Sequence, residues 1–564
     1  MEQEKREICD ANGSGTTAGT PTATLHDAEK PAPLANVKKL DEDPHSSLTL
    51  HGAQLWLLLG VLYLSVYLLA LELTMLSTVI PTLTNEFGTV ADISWYESAY
   101  VLPLCVLSPV AAKFYTQFRI KHVYLAFMGI FAIGLIVCAV ARSSHVFILG
   151  RALNGLGASG QFSGCMLIMS CVCDASVRPL STALAMAMIP VGSMTGPIIA
   201  GAVTARIGWR WCFWILLPLA GIVIAIIAIV KIAEQSEKPA FSQGLKKLPT
   251  TLDPVGFFLF AGGITMLLLA LTWGGNQYPW SSAVIIGLLC GGIVASVAFC
   301  VWVWFKGDAA LIPPSIFMQR SVYIGSLAIF LQGGASQATP FFLPLWFQAI
   351  KGDNPIESAV HLLPSLAAQV LGLMTFGSLL RKLLPHIPPW AIMGSLISCI
   401  GSGLCSTLAP DTSVGKWVGY QILSSFGRGM ALQVSITAVQ EFLPVKQHAV
   451  SLSVLNVFLQ LGLAVSVSAC QTIFNNRLPT LLHRYAPGVN ATEIVAAGAT
   501  DARRFVEPAQ MPGFLHGYNM AITAVFYFPT AACAVACLIS CAFEWKSVAT
   551  KTKAKTDEKP ASTA

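Results

Sequence analysis

The sequence is short of charge. Asp, Glu, Lys and Arg make up only 11% of its 564 residues, hydrophobic residues make up 54%, and mean hydropathy is +0.66. A soluble domain carries about 25% charged residues. A water-soluble chain of this size could not cover its surface with so few, which excludes a soluble enzyme, a nucleic-acid binder and a disordered scaffold. The formal net charge of +6 therefore carries information about topology rather than phosphate affinity. Metal-site patterns are lacking too. The 15 cysteines are scattered through apolar runs, as at Cys138, Cys290, Cys300, Cys533 and Cys537. No CxxC pair or Cys/His cluster occurs, so they read as packing thiols, with no metal site. The histidines are dispersed and form no HxxxH or HxxHH box, which argues against a membrane-embedded enzyme. The first 50 residues contain no apolar signal core, so no cleaved signal peptide is expected. Residues 1–54 read as a disordered cytoplasmic tail. Residues 546–564, rich in Lys, read the same way.

What the sequence has in abundance is apolar runs of helix length. A bilayer-spanning helix takes about 20 apolar residues. Fourteen such runs start near Leu55, Trp95, Val123, Val146, Leu180, Trp211, Asp253, Ala283, Ser321, Ser358, Pro389, Val414, His448 and Tyr518. An even number puts both termini on one side. With both tails inside, 23 Lys and Arg residues fall in cytoplasmic segments and nine outside, the bias that the positive-inside rule requires. The sequon at Asn490 falls in the outer loop at 476–517 and marks an N-glycosylation site, whereas the one at Asn12 lies in the inner tail.

An internal repeat organises these spans. Span 4 contains Gly155-Leu156-Gly157 followed by Gln161, and span 12 contains Gly427-Arg428-Gly429 followed by Gln433, both as GxGxxxQ. Span 1 leaves the membrane at Val79-Ile80-Pro81, and span 9 at Phe342-Leu343-Pro344. This arrangement implies an all-α membrane protein of two pseudo-symmetric six-helix halves plus two inserted helices. The boundaries are 55–231 for the N-terminal half, 232–320 for cytoplasmic loops and the inserted pair, and 321–545 for the C-terminal half. Two halves around a central site is a transporter architecture.

Few ionisable residues lie inside the spans, and each costs about 2.5–3.5 kcal/mol at a helix centre. Glu72 in span 1 is a candidate proton carrier. Burial disfavours its charged form, so it can load a proton on one side and release it on the other. Arg151 in span 4 keeps its proton and acts as an electrostatic anchor. The alternative for both is a structural ion pair. Arg428 in span 12 has no evident acidic partner. It either bonds helix carbonyls or serves a substrate. Glu97 and Asp253 sit at span ends and read as helix-terminal charges. Span 5 carries Gly192, Gly196, Pro197 and Gly201. Glycines four apart make a smooth face, and the proline bends the helix.

Together these motifs resemble the major facilitator superfamily, and within it the fourteen-span drug:proton antiporters of the fungal toxin-efflux branch. The resemblance runs over about residues 55–545. It is carried by Leu71-Glu72-Leu73-Thr74 through Pro81, by Arg151 with Gly155, and by Gly192 through Gly201. Trp209-Arg210-Trp211-Cys212-Phe213-Trp214 through Pro218, Thr272-Trp273-Gly274-Gly275 and Pro344 through Gly352 add to it. Two departures stand out. The span 1 aspartate of the family is Glu72 here, and the acidic loop motif between spans 2 and 3 is degraded, with Ala112 and Thr116 where glycine and aspartate are usual. The resemblance implies export of a small hydrophobic or amphipathic toxin, secondary metabolite or drug by alternating access. The drive would be a proton gradient, without a cofactor or nucleic-acid partner. Glu72 and Arg151 would couple protons. Gln161, Gln332, Phe341, Phe342, Trp346, Arg428, Gln433 and Asn456 would line the substrate cavity. A monomer in the plasma membrane, or in a vacuolar or vesicle membrane, is expected. A proton-coupled importer of a nutrient or iron chelate is the alternative on the same fold.

Overall fold

A computed structural model of the chain describes residues 52–89, 92–174, 176–230, 232, 238, 252–275, 277–380, 382–489 and 506–547. The two expected tails, most of the 232–252 loop and the sequons at Asn12 and Asn490 lie outside the described residues. Helices dominate, and among the described residues there are two isolated β-bridges but no strand. The N-terminal half comprises α1 (Ala53–Phe87), α2 (Ile93–Gln117), α3 (Ile120–Val140), α4 (Ser144–Val172), α5 (Arg178–Ile207), the short α6 (Arg210–Trp214) and α7 (Leu216–Ile229). The inserted hairpin is α8 (Pro254–Trp273) and α9 (Ala283–Lys306), followed by α10 (Pro314–Phe317). The C-terminal half comprises α11 (Arg320–Ser336), α12 (Ala338–Trp346), α13 (Pro355–Val360), α14 (Leu363–Leu379), α15 (Ile387–Cys405), α16 (Val414–Phe442), α17 (Val445–Tyr485), α18 (Met511–Val525) and α19 (Tyr527–Ser540).

Twelve helical stretches among the described residues are long and apolar enough to cross a membrane, against the fourteen expected. The other two expected positions also hold helices, but of a different kind. Near Ser321 the path is split at Gln337 into α11 and α12. α16 spans 29 residues but carries Lys416, Gln421, Arg428, Gln433, Gln440 and Glu441. The outer loop expected at 476–517 is also shorter than its sequence suggests. α17 continues to Tyr485 because Leu478, Leu481 and Leu482 stay buried against Phe514 and Tyr518.

Helix ends follow local chemistry. Ser143 and Ser282 accept the Val146 and Ile285 amides at the starts of α4 and α9, the usual N-cap bond. Gly88 (φ 67°) and Gly208 (φ 97°) end α1 and α5 with positive φ, which glycine adopts without steric cost. Asp253 does more than cap. Its carboxylate accepts from the Gly256 amide (3.3 Å), the Trp302 indole (3.0 and 3.1 Å) and the Leu311 amide (3.1 Å). It thereby ties both ends of the inserted hairpin together.

The two halves repeat each other in close packing. Gly192 of α5 sits on the Tyr67 carbonyl of α1, and Gly462 of α17 sits on the Phe330 carbonyl of α11. Pro81 and Pro344 follow those carbonyls at the same chain distance. In α4, Arg151 Nε donates to the Tyr96 carbonyl (2.9 Å); in α16, Gln421 Nε2 donates to the His361 carbonyl (3.2 Å). Gly157 and Gly427 come the same distance later and pack on α3 and α15. This register corrects the GxGxxxQ match, which pairs Gly155 with Gly427, two residues away. Two residues are about 200° of helix, so Gln161 and Gln433 face different directions.

The halves are joined at the end where α1 begins, here termed the tail end. The main core takes its C-terminal-half members from there, including Val322, Ile436, Val439, Leu443, Val450 and Leu455. Polar bonds cross at the same level. Gln433 donates to the Pro179 carbonyl (2.8 Å), Gln440 to Ser170 (3.1 Å), Thr182 to Gln440 (3.1 Å) and Asn456 to Ser108 (3.1 Å). At the opposite end the C-terminal half has a core of its own, built around Phe342, Trp346, Phe347, Phe474 and Phe514. Among the described residues the direct bonds between the halves named here lie at the tail end, while at the other end the inserted hairpin touches both, through Trp95–Trp273 and Trp280–Thr472.

Candidate functional site

The structure brings Glu72 and Arg151 together. Both are fully buried, at 1% and 0% exposure, and Arg151 Nη1 donates to Glu72 Oε1. Asn154, one turn beyond Arg151 on α4, donates to the same oxygen at 3.1 Å. Arg151 Nε is taken by the Tyr96 carbonyl, and its guanidinium lies 4.7 Å from the centre of the Tyr100 ring. One α4 face therefore meets α1 and α2 around a single carboxylate. Glu72 Oε2, also buried, has no hydrogen-bond partner among the described residues. Asn154, Tyr96 and Tyr100 were not singled out from the sequence. The i, i+3 spacing of Arg151 and Asn154 was the available signal, since such residues share a helix face.

The smooth face of span 5 packs on this segment. A Cβ at Gly192 would meet Ala70 (2.8 Å) and the Tyr67 carbonyl (2.9 Å), and one at Gly196 would collide with Thr74. Thr74 donates to the Gly192 carbonyl (3.3 Å), and Tyr67 and Thr195 share a hydrogen bond (2.9 Å). The two glycines thus bracket Glu72. Gly201 lies outside the close seam, where a Cβ would meet only Thr78 at 3.7 Å. Pro197 is half-buried within α5.

The eight expected cavity residues do not form one open site in this conformer. Gln161 donates to Ser65 Oγ (2.7 Å) and Gln332 to Ser395 (2.8 Å), each inside its own half. Trp346 is buried with its indole on Asn519 (2.7 Å), and Phe342 packs on Phe474 with ring centres 5.9 Å apart. Gln433 and Asn456 belong to the tail-end seal described above. Arg428 is 2% exposed. Phe341, at 51%, is the exposed member of the eight. The physical reason is that Gln and Asn in a tightly packed helix bundle find bonding partners on the neighbouring helix. The clefts that do exist, of about 440 and 370 Å³, lie elsewhere. They are lined by Asn476, Arg477 and Tyr527, and by Leu271, Trp280 and Thr472.

The degraded loop between α2 and α3 is bypassed by lysines. Lys113 donates to the Ala310 carbonyl (2.9 Å), and Lys121 to the carbonyls of Ala228 (2.7 Å) and Val230 (2.9 Å). Nearby, Arg178 reaches the Gln440 carbonyl across the halves (3.3 Å). At the far end, the Trp-Arg-Trp signature acts as a clasp. Trp209 and Arg210 both donate to Glu86 at the end of α1 (2.6 and 2.7 Å), and Arg210 also reaches the Ala141 carbonyl (2.8 Å). Glu97 is exposed on α2. No His/Cys/Asp/Glu cluster able to hold a metal occurs among the described residues.

Comparison with known proteins agrees with this architecture. Residues 62–467 match the family model described as the Major Facilitator Superfamily. The chain is 37% identical over 497 residues to the MFS-type transporter pigP of Monascus ruber, covering 88% of this chain and 87% of that one. It is 36% identical over 523 residues to the efflux pump mlcE of Penicillium citrinum, covering 91% and 94%. Among solved structures it resembles the proton:xylose symporter XylE, with a TM-score of 0.55 at 12% identity, covering 90% of this chain and 99% of that one. At that identity the likeness concerns the fold. With its apolar helices, its two repeated halves and a family match across most of its length, the chain is a multi-span membrane protein belonging to the major facilitator superfamily of transporters.

Proposed function

We propose that this chain is a proton-coupled efflux transporter that exports a small hydrophobic or amphipathic compound, such as a toxin, secondary metabolite or drug, by alternating access. Export as the direction is supported by relatives named as efflux pumps, including mlcE and roqT of Penicillium rubens. The observation that carries the coupling is the buried Glu72, held through one oxygen by Arg151 and Asn154 while its other oxygen has no described partner. A proton that reaches the site from the end away from the tails has that oxygen to bind. Protonation removes the charge that Arg151 neutralises, and the guanidinium falls back on the Tyr96 carbonyl and the Tyr100 ring. Gly192 and Gly196 pack against the same stretch of α1, so a change at Glu72 is felt by α5. α5 also reaches the other half through Thr182 and the Pro179 carbonyl, which is how the charge change reaches the tail-end seal. The membrane potential contributes about 2.3 kcal/mol per charge per 100 mV. In this reading the chain has fourteen spans, both termini in the cytoplasm, and acts as a monomer in the plasma membrane without a cofactor.

The test deletes the gene in its host and restores it as wild type or Glu72→Gln. Small molecules in cells and medium are then compared, with and without a protonophore. Export lost on deletion, restored by wild type, abolished by protonophore and not restored by Glu72→Gln is the expected result. Wild-type export by Glu72→Gln overturns the carrier role. Uptake in place of export overturns the direction.

A further inference from the structure

The N-terminal half holds a buried cation with its counter-ion, and the C-terminal half holds a buried cation without one. Arg428 is 2% exposed, and no carboxylate among the described residues forms an ion pair with it. Its hydrogen bonds are thin for five N–H donors. Nη2 donates to Ser425 (2.9 Å), and Nη1 reaches the Ala335 carbonyl and Thr339 only at 3.5 Å each. Nε has no partner among the described residues. Ser425 is itself bonded to Ser365 (2.7 Å), so hydroxyls, not charges, surround the guanidinium.

The repeat sharpens the contrast. In the register set by Tyr67 and Phe330, Glu72 corresponds to Ala335. Arg151 itself matches Gln421 in this repeat, so Arg428 is a cation of the second half alone, with the Ala335 carbonyl at the limit of its reach. A buried charge left without a partner is strongly destabilising, so such an arrangement persists where a ligand completes it. The helix in front of Arg428 is also discontinuous. α11 ends at Ser336 and α12 begins at Ala338, with Ser336 and Gln337 half-buried and Pro340 and Phe341 exposed. Broken helices facing the centre of a bundle are where transporters bind polar groups. The helix break at Gln337 thus lies two residues before Thr339, one of the groups Arg428 reaches.

We infer that Arg428 is the receptor for a single carboxylate on an amphipathic substrate, so that the exported compound is an organic monoanion. A guanidinium fork matches a carboxylate in bidentate geometry. With Ser425 and Thr339 as its side-chain partners and no second cation bonded there among the described residues, one negative charge is what the site balances. The inference rests on the efflux reading for its biological meaning, but not for its measurement.

The test uses the full-length chain purified in detergent, with pyrenebutyrate and its methyl ester as probes, their binding read by fluorescence. The wild type is expected to bind the acid at least tenfold more tightly than the ester. Arg428→Gln is expected to bring the two within twofold. Arg428→Lys keeps the charge but not the fork, and is expected to weaken the acid several-fold while leaving the ester unchanged. If Arg428→Gln is not monodisperse, Arg428→Lys decides alone, because a purely structural role would weaken both probes equally. Equal affinities in the wild type, an undiminished preference in Arg428→Gln, or a parallel loss in Arg428→Lys overturns the inference. The binding measurement needs no proton gradient and no direction of transport, so its failure and that of the Glu72→Gln export assay are separable.

Discussion

Removing Arg151 tests whether the Glu72 pair holds α1 and α4 together. In Arg151→Ala, Glu72 keeps the Asn154 amide at 3.1 Å but remains buried at 1% exposure with its charge unpaired. The Tyr96 carbonyl and the Tyr100 ring lose their donor and cation at the same time. Breaking one side of a buried pair costs about 3–5 kcal/mol. At about 1.4 kcal/mol per tenfold, that is a hundred- to a few-thousand-fold change in local opening. Hydrogen–deuterium exchange of the amides in 68–76 and 149–156 reads this directly. Arg151→Ala is expected to lose at least about a hundredfold of protection there. The double variant Glu72→Met/Arg151→Met leaves no charge and similar volume, and is expected to recover most of it. That recovery distinguishes an unpaired charge from a packing defect. Unchanged protection in Arg151→Ala, or a double variant as labile as the single one, would refute the account.

Two further outcomes follow from the packing. A Cβ at Gly377 of α14 would meet Ala183 Cβ (2.7 Å) and the Pro179 carbonyl (3.0 Å) at the tail end, so Gly377→Leu combined with Gln440→Leu should pry the halves apart there. Maleimide labelling of Cys173, buried in this conformer, should accelerate at least tenfold, and an unchanged rate would show that the seal lies elsewhere. Asp253→Ala removes the acceptor of the Gly256 and Leu311 amides and the Trp302 indole, a loss of about 1–3 kcal/mol. Limited proteolysis should then cut near 252 and 310 faster, while exchange within α1 and α4 stays at wild-type levels.

Much of the architecture could be read from periodicity and scarcity. Helix starts near Leu55, Val146, Ala283 and Val414 lie within a few residues of the observed ones, because a membrane helix announces itself by apolar length. Span count was less secure at two places, the broken path at Gln337 and α16, whose polar residues dilute the apolar signal. Glu72 and Arg151 stood out because so few charges enter the spans. The cavity residues did not, since a glutamine in a helix looks the same whether it faces an open site, a serine of its own half or a carbonyl of the other. Gln161, Gln332 and Gln433 turned out to be bonded in packed seams. The GxGxxxQ match failed for a related reason. A string records spacing, whereas the repeat is defined by which glycine touches which helix.

The sequence by itself determined that the chain lives in a bilayer, that it is built of repeated helical halves, and which three ionisable groups, Glu72, Arg151 and Arg428, are costly enough to require a reason. These are consequences of composition and period, and they survive any arrangement of the helices. Only the tertiary structure decided pairing. It closed Arg151 on Glu72 across 79 residues of chain, packed Gly192 and Gly196 on the stretch of α1 that carries Glu72, and left Arg428 near Ala335 with no ion-pair partner among the described residues. Electrostatic and steric terms act over a few ångströms, and the distances that matter between helices are fixed by packing rather than by position along the chain.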